Sequence, residues 1–303
     1  MGKILLIFSF VLLTLTDMNA CDVCGCSLSG QNIGILPRFH SQLVGLRYMQ
    51  SGFQSTHPPL LSTDFGKNSR ESFQTLELWG RFSFRERWQL FAFIPITNIQ
   101  KSEDDQSVHN RGFGDMSLLF MGTIINNKNI GQSSWYHNLQ VGGGIKLPTG
   151  KNDFIFNDVW IPGLQTGTAS WDFFINVNYI TKVNDWAVQL ESSYRINQQN
   201  KNQNFIFGNR WNSSIRLMRN FIVNNSTILP VMGANVEFAF KDKHQNIYND
   251  FSGGYSLFYQ FGAEMWFDRM GVGLHGFIPT INNIASGNIV PTFKFNAHIS
   301  YFF

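Results

Sequence analysis

The chain has 303 residues, and its formal net charge of +3 is too small to point to nucleic acid. Aromatic residues make up 15% of it, with 30 Phe and 8 Trp, while charged residues make up only 14%, well below the ~25% of ordinary soluble domains. Mean hydropathy is nonetheless close to zero, a combination that argues against a soluble secreted domain and suits alternating strands with one apolar and one polar face.

The first 20 residues read as a secretory signal peptide. Lys3 precedes an apolar run from Ile4 to Thr16, and Met18-Asn19-Ala20 closes it. The run is too short for a spanning helix, which needs ~20 residues, and no later stretch approaches that length. Residues 21–37 then form a periplasmic N-terminal segment holding all three cysteines, Cys21, Cys24 and Cys26. An odd cysteine count in an oxidising compartment calls for an explanation. Three readings stay open. Cys21 carries a lipid after cleavage at Ala20, although Met18 stands where an aliphatic residue, usually Leu, is expected. Alternatively Cys21, Cys24 and Cys26 hold a soft metal ion, Cu(I) or Zn(II), one ligand short of tetrahedral zinc. The third reading is an oxidised tail without dedicated function.

From residue 38 to 303 the sequence reads as a single transmembrane, antiparallel, up-and-down β-barrel. Period-2 alternation predicts about twelve strands, near 38–53, 71–85, 87–100, 113–126, 134–147, 169–182, 185–198, 203–219, 227–241, 253–267, 270–281 and 292–303. In the last of these Phe293, Phe295, Ala297, Ile299, Tyr301 and Phe303 share one face, and Lys294, Asn296, His298 and Ser300 the other. Connections alternate between short ones, such as Val183-Asn184-Asp185 and Asp268-Arg269-Met270, and longer polar ones, such as 101–112, 148–168 and 242–252. Short periplasmic turns and long extracellular loops are the expected asymmetry, and even parity puts both termini in the periplasm. A soluble β-sandwich alternates in the same way, but its strands are nearer 5–6 residues. Trp88, Trp135, Trp171, Trp186 and Tyr301 fall near strand ends, at headgroup level. The chain end at Phe303 resembles the signal by which the barrel-assembly machinery recognises its clients.

If the apolar face meets lipid, the other face lines the lumen. It carries Arg47, Glu77, Arg81, Lys146, Asp172, Glu191, Arg195, Arg210, Arg216, Glu237, Glu264 and Lys294, together with Asp115, His275 and His298. Buried charges of both signs must be paired or hydrated. The set describes either a polar conduit with charged constrictions or a plug that fills a narrow barrel. His298-Ile299-Ser300 has the spacing of a His–Ser nucleophile pair, but it points to the lumen, and the chain is not read as an enzyme. No cofactor is expected beyond a metal at the cysteines.

Three motifs stand in order. Gly112-Phe113-Gly114-Asp115 opens one strand, Gly144-Ile145-Lys146-Leu147-Pro148-Thr149-Gly150 ends another, and Thr166-Gly167-Thr168-Ala169-Ser170-Trp171-Asp172 starts the next. The succession resembles the outer-membrane transporter family called "MetA-pathway of phenol degradation". Its motif positions here are Gly112, Gly114, Asp115, Lys146, Pro148, Gly150 and Asp172. The start at Cys21-Asp22-Val23-Cys24-Gly25-Cys26, with Arg38-Phe39 and Glu77-Leu78-Trp79-Gly80, is similar to a subgroup of such barrels. The resemblance implies a porin-like transporter or channel for small solutes in a Gram-negative outer membrane, with hydrophobic or aromatic solutes suggested by the family's name alone. The partners expected are outer-membrane lipid, a small-molecule solute and the assembly machinery. The opposing expectation is a structural or interaction barrel with a metal- or redox-active cysteine tail that conducts nothing.

Overall fold

A computed structural model describes residues 42–57, 67–85, 87–103, 106–127 and 135–303. The signal segment 1–20 and the cysteine-bearing segment 21–37 lie outside the described residues. The architecture is a closed antiparallel barrel of twelve strands. In chain order these are β1 (Leu43–His57), β2 (Lys67–Phe84), β3 (Trp88–Glu103), β4 (Gln106–Phe113, resuming as Ser117–Asn126), β5 (Trp135–Lys146) and β6 (Asp172–Val183). They continue as β7 (Trp186–Ile196), β8 (Arg210–Arg219, resuming as Phe221–Val223), β9 (Ser226–Ala239), β10 (Gly254–Phe267), β11 (Met270–Asn282) and β12 (Ile289–Phe302). Each strand pairs with its neighbours in sequence, and β12 returns to pair with β1 from Phe302↔Leu43 to Ile289↔Ser55. Closure leaves no sheet edge, which is what a spanning sheet requires in hydrocarbon.

The strands form where alternation is sustained, and they stop where the backbone must reverse. The hairpins β6–β7, β8–β9 and β10–β11 turn on Asn184, Asn224 and Asp268, all with φ near +50°. Asn and Asp tolerate that left-handed conformation and suit tight hairpin turns. The outward face is apolar from end to end: Phe173, Ile175 and Val177 of β6 and Ile299 and Tyr301 of β12 are all exposed. Trp88, Trp135, Trp171, Trp186 and Trp211 are exposed at strand ends, where an indole spans apolar and wet surroundings.

Several boundaries differ from the sequence expectation, the second strand starting at Lys67 rather than 71 and the last at Ile289 rather than 292 among them. The connection expected over 101–112 is mostly strand: β3 and β4 continue as a hairpin pairing Lys101↔Val108 and Glu103↔Gln106. Its polar composition reflects projection beyond the lipid, where period-2 hydrophobicity has no reason to persist. The strand expected from 203 enters the barrel only at Arg210; Phe205–Ile206 belongs instead to a small four-stranded sheet with Gln199–Asn200, Lys243–His244 and Ile247–Tyr248. The first strand runs to His57 rather than ending at 53, pairing with β2 throughout.

Asp242 ties that outer sheet down. Gly208 donates its N–H to Asp242 Oδ1 at 2.7 Å, and Ser252 Oγ accepts from the Asp242 N–H at 2.9 Å. Burial pushes the Asp242 carboxyl from 3.8 up to about 6, against the opposing pull of Arg210 and the Gly208 N–H. A carboxyl whose folded pKa is raised contributes stability that is complete below the unfolded value and is lost as pH rises through the folded one. Amide exchange in 199–206 and 243–248 is therefore expected to quicken as pH rises through about 6, after correction for intrinsic exchange rates, and Asp242→Asn is expected to flatten that dependence. On the lipid face, Val177→Arg in mid-strand is expected to lower stability by about 2–4 kcal/mol in bilayers, and Ile222→Arg beside a turn by only about 0–1. Urea unfolding monitored by tryptophan fluorescence would measure both.

Candidate functional site

The interior is organised in levels, beginning at the long-loop mouth. There the motif residues meet. Between its two stretches β4 leaves the ladder, and Gly114 donates its N–H to the Pro95 carbonyl at 2.9 Å. Asp115 Oδ1 accepts the N–H of Gly150 at 2.9 Å, and Oδ2 accepts the N–H of Thr168 at 2.9 Å and its hydroxyl at 2.7 Å. Lys146 Nζ lies 2.9 Å from Asp115 Oδ2 and 2.5 Å from Asp172 Oδ2. Asp172 also accepts the Ser170 hydroxyl and the Gln198 N–H, each at 3.0 Å. One ammonium thus faces two carboxylates, with all three side chains buried; the excess negative charge is met by the hydrogen-bond donors, as a buried charge needs. Gly150 and Gly167 allow the two loop ends to touch: a Cβ on Gly167 would lie 2.4 Å from the Gly150 carbonyl carbon. Leu147 donates its N–H to Met116 O at 2.8 Å, so the turn at Pro148 starts on a paired backbone.

From this root, loop 147–171 folds inward across the mouth. Its tip carries a turn at Pro162–Leu164. Leu164 is buried in a cluster with Phe53 of β1, Phe73 of β2, Ile99 of β3 and Ile289 of β12. Asn110 Nδ2 donates to Leu164 O at 2.6 Å. Gln165 braces the tip, its Nε2 donating to Phe154 O at 2.7 Å and Ile161 O at 3.0 Å.

Beneath the loop lies a chamber of about 90 Å³. Its walls mix Met49, Phe73, Pro95, Ile99 and Phe207 with Asp115, Lys146, Asp172, Arg195 and Arg210. A dry cavity that admits benzene measures about 150 Å³, so the chamber as it stands is smaller than an aromatic guest needs.

Lower still, hydrogen bonds run around the wall. Asn178 Nδ2 donates to Gln140 Oε1 at 3.4 Å and Gln189 Nε2 to Asn178 Oδ1 at 2.8 Å. Arg216 reaches Gln189 at 3.1 Å, Glu191 at 2.8 Å and Gln260 at 3.3 Å. Gln260 meets His275 Nδ1 at 3.4 Å, and Glu264 receives His275 Nε2 at 2.8 Å and His298 Nε2 at 3.2 Å. These last three side chains could hold a metal: their ligand atoms all lie within 4.8 Å of one another. His298 thus directs Nε2 to a carboxylate rather than to Ser300. An apolar cluster sits among these polar groups, with Trp79, Phe91, Phe93, Leu119 and Met121 of β2 to β4 buried together with Leu43, Phe174 and Phe302.

The other charged residues named from the sequence also lie inside. Arg47 pairs with Glu77 at 3.5 Å and covers the Trp79 ring at 4.8 Å. Lys294 pairs with Glu237, Arg81 is buried, and Arg195 and Arg210 border the chamber. Gly112 and Gly114 both lie against Thr166. Sequence reasoning missed the aromatic sector and the loop tip. The run Leu90-Phe91-Ala92-Phe93-Ile94, apolar on both faces, is the signal that could have revealed the first. Leu164 and Gln165 carry none.

No family model matches the chain, and no curated protein matches it in sequence. Solved structures do match in shape. An outer membrane channel from Pseudomonas putida F1 aligns with a TM-score of 0.64 over 89% of this chain and 97% of its own, at 14% identity. The beta domain of the Bordetella autotransporter BrkA aligns with a TM-score of 0.51 over 86% of this chain and 99% of its own, at 10% identity. At such identities the likeness is one of fold: the chain has the architecture of a Gram-negative outer-membrane β-barrel.

Proposed function

We propose that the barrel is a gated channel for small amphipathic solutes, with loop 147–171 as the gate. The chamber carries the reading: it sets Phe73, Ile99 and Phe207 beside the fixed charges of Lys146, Asp172, Arg195 and Arg210, the pairing of apolar wall and few polar groups that small-molecule sites use. An aromatic acid meets both kinds of surface. The family resemblance, with its aromatic label, agrees with this choice. Export through a signal peptide cleaved at Ala20, placing residues 21–37 in the periplasm, belongs to the same reading.

A second reading has its own support. The hydrogen-bonded wall around Arg216 and the aromatic sector around Phe91 occupy much of the interior, as a non-conducting structural barrel would require.

Planar-bilayer recording and vesicle uptake separate the two. A channel shows low conductance with brief openings, and Asp115→Ala, which frees the loop root, raises the open fraction several-fold. Uptake of benzoate-like acids then exceeds that of neutral sugars of similar size. Arg210→Glu shifts permeability toward cations. A silent wild type together with a silent Asp115→Ala, both with normal heat-modifiable migration in gels, leaves the structural reading standing.

A further inference from the structure

The interior holds a cluster that solute passage does not explain. Glu264 of β10, His275 of β11 and His298 of β12 point inward from three successive strands. The register sets Glu264 opposite Gly273, and Gly273 opposite His298. Gly273 is the centre of this arrangement. A Cβ there would lie 2.3 Å from His298 Cε1 and 2.6 Å from Glu264 Oε2, so only glycine lets the two side chains converge across the strand between them. His275, two residues further along β11, completes the set on the same face.

We propose that Glu264, His275 and His298 form a binding site for one divalent transition-metal ion. The donor set is two imidazole nitrogens and a carboxylate, which suits zinc(II), copper(II) or nickel(II) and not the oxygen-seeking magnesium or calcium. The spacing fits: with metal–ligand bonds of ~2.0–2.2 Å, ligand atoms sit roughly 3–3.5 Å apart, and here Nε2 of His275 and of His298 lie 2.8 and 3.2 Å from the two carboxylate oxygens. The three ligand atoms all lie within 4.8 Å of one another, so binding asks the side chains to draw together around one point.

The surroundings hold the ligands in place. Glu264 is fully buried and His275 nearly so, while His298 keeps slight exposure toward the lumen, giving the ion an entry. Gln260 meets the far nitrogen of His275 at 3.4 Å, and the Trp79 ring stands edge-on to His298 at 6.3 Å between centroids. Such outer contacts fix ring orientation in metal sites. Arg47 is the cross-strand neighbour of His298, and Glu77 at 3.5 Å offsets its charge. Across described residues the donors come from β10, β11 and β12 alone, so an ion would clamp the three strands beside the barrel's closing seam.

The proposal is independent of conduction and is tested by binding. Refolded full-length protein, stripped with chelator, is titrated with zinc(II) by calorimetry and read by elemental analysis. A Cys21→Ser/Cys24→Ser/Cys26→Ser variant serves as the parent, so that thiols take no metal. One zinc per chain is expected, with His275→Ala and His298→Ala each weakening it at least as far as the ~10–100-fold that loss of a supporting partner costs. Copper(II) loaded in place of zinc should show two-nitrogen hyperfine structure in electron paramagnetic resonance, reduced to one nitrogen in either variant. Gly273→Ala should abolish the signal while leaving heat-modifiable folding intact; if that variant misfolds, the histidine variants decide. No zinc retained by the cysteine-free parent, or equal retention in the His275→Ala/His298→Ala double variant, overturns the proposal and leaves a purely hydrogen-bonded triad.

Discussion

Every peptide group that enters hydrocarbon must find its hydrogen bond within the protein. The pairing of β1 with β12 meets that demand, since it converts an open sheet with two raw edges into a closed wall. The remaining features follow from closure. A closed wall of antiparallel strands has one face toward lipid and one toward itself. The outer face is free to be uniformly apolar, as Ile175 and Ile299 are. The inner face then has to satisfy whatever polarity it carries.

It does so differently on its two halves. From β1 to β4 an aromatic cluster, with Phe91 and Phe93 stacking nearly parallel at 6.3 Å, packs beside the buried Arg47–Glu77 pair. From β5 to β10 the amides of Gln140, Asn178, Gln189 and Gln260 pass hydrogen bonds between the charged groups. The division has a physical logic. Arg216 cannot sit unpaired in a dry interior, because an isolated buried charge costs far more than any single contact returns. Surrounded by Glu191, Gln189 and Gln260 it is satisfied, but its position becomes fixed. A polar lumen built this way is rigid, so any adjustable part has to lie elsewhere.

How much of this was legible in the sequence differs by level. Alternation located the twelve strands because the bilayer enforces period 2 wherever a strand meets lipid. It failed where strands leave the bilayer, as in Gln106–Phe113, whose exposed residues answer to water on both faces. It identified Arg47, Glu191 and Arg216 as inward-facing, but partners depend on register, and nothing in the sequence says that Arg216 of β8 reaches past β9 to Gln260 of β10. The motif glycines and Asp115 were visible as a pattern; that Asp115 captures the N–H of Gly150 and of Thr168 is a tertiary fact. Glu264, His275 and His298 were each assigned to the lumen, while their convergence over Gly273 required the strand register.

Loop 147–171 is held unequally along its length. At the root, Lys146 joins Asp115 and Asp172, and removing one partner of such a buried pair costs about 3–5 kcal/mol. The tip is held more lightly. Withdrawing Leu164 from its cluster exposes one side chain, about 1.5–3 kcal/mol, and the Asn110 hydrogen bond adds about 1. A conformer a few kcal/mol above the ground state is populated at roughly 0.1–10%, which tip withdrawal reaches. Dismantling the root instead breaks both ion pairs and the hydrogen bonds of Asp115 to Gly150 and Thr168 together, more than the single-partner cost. In the proposed gate the motif residues therefore serve as the hinge post, and the residues that swing are those around Leu164, where neither charge nor motif marks them. The root is constrained by buried charge, and the apolar tip is not.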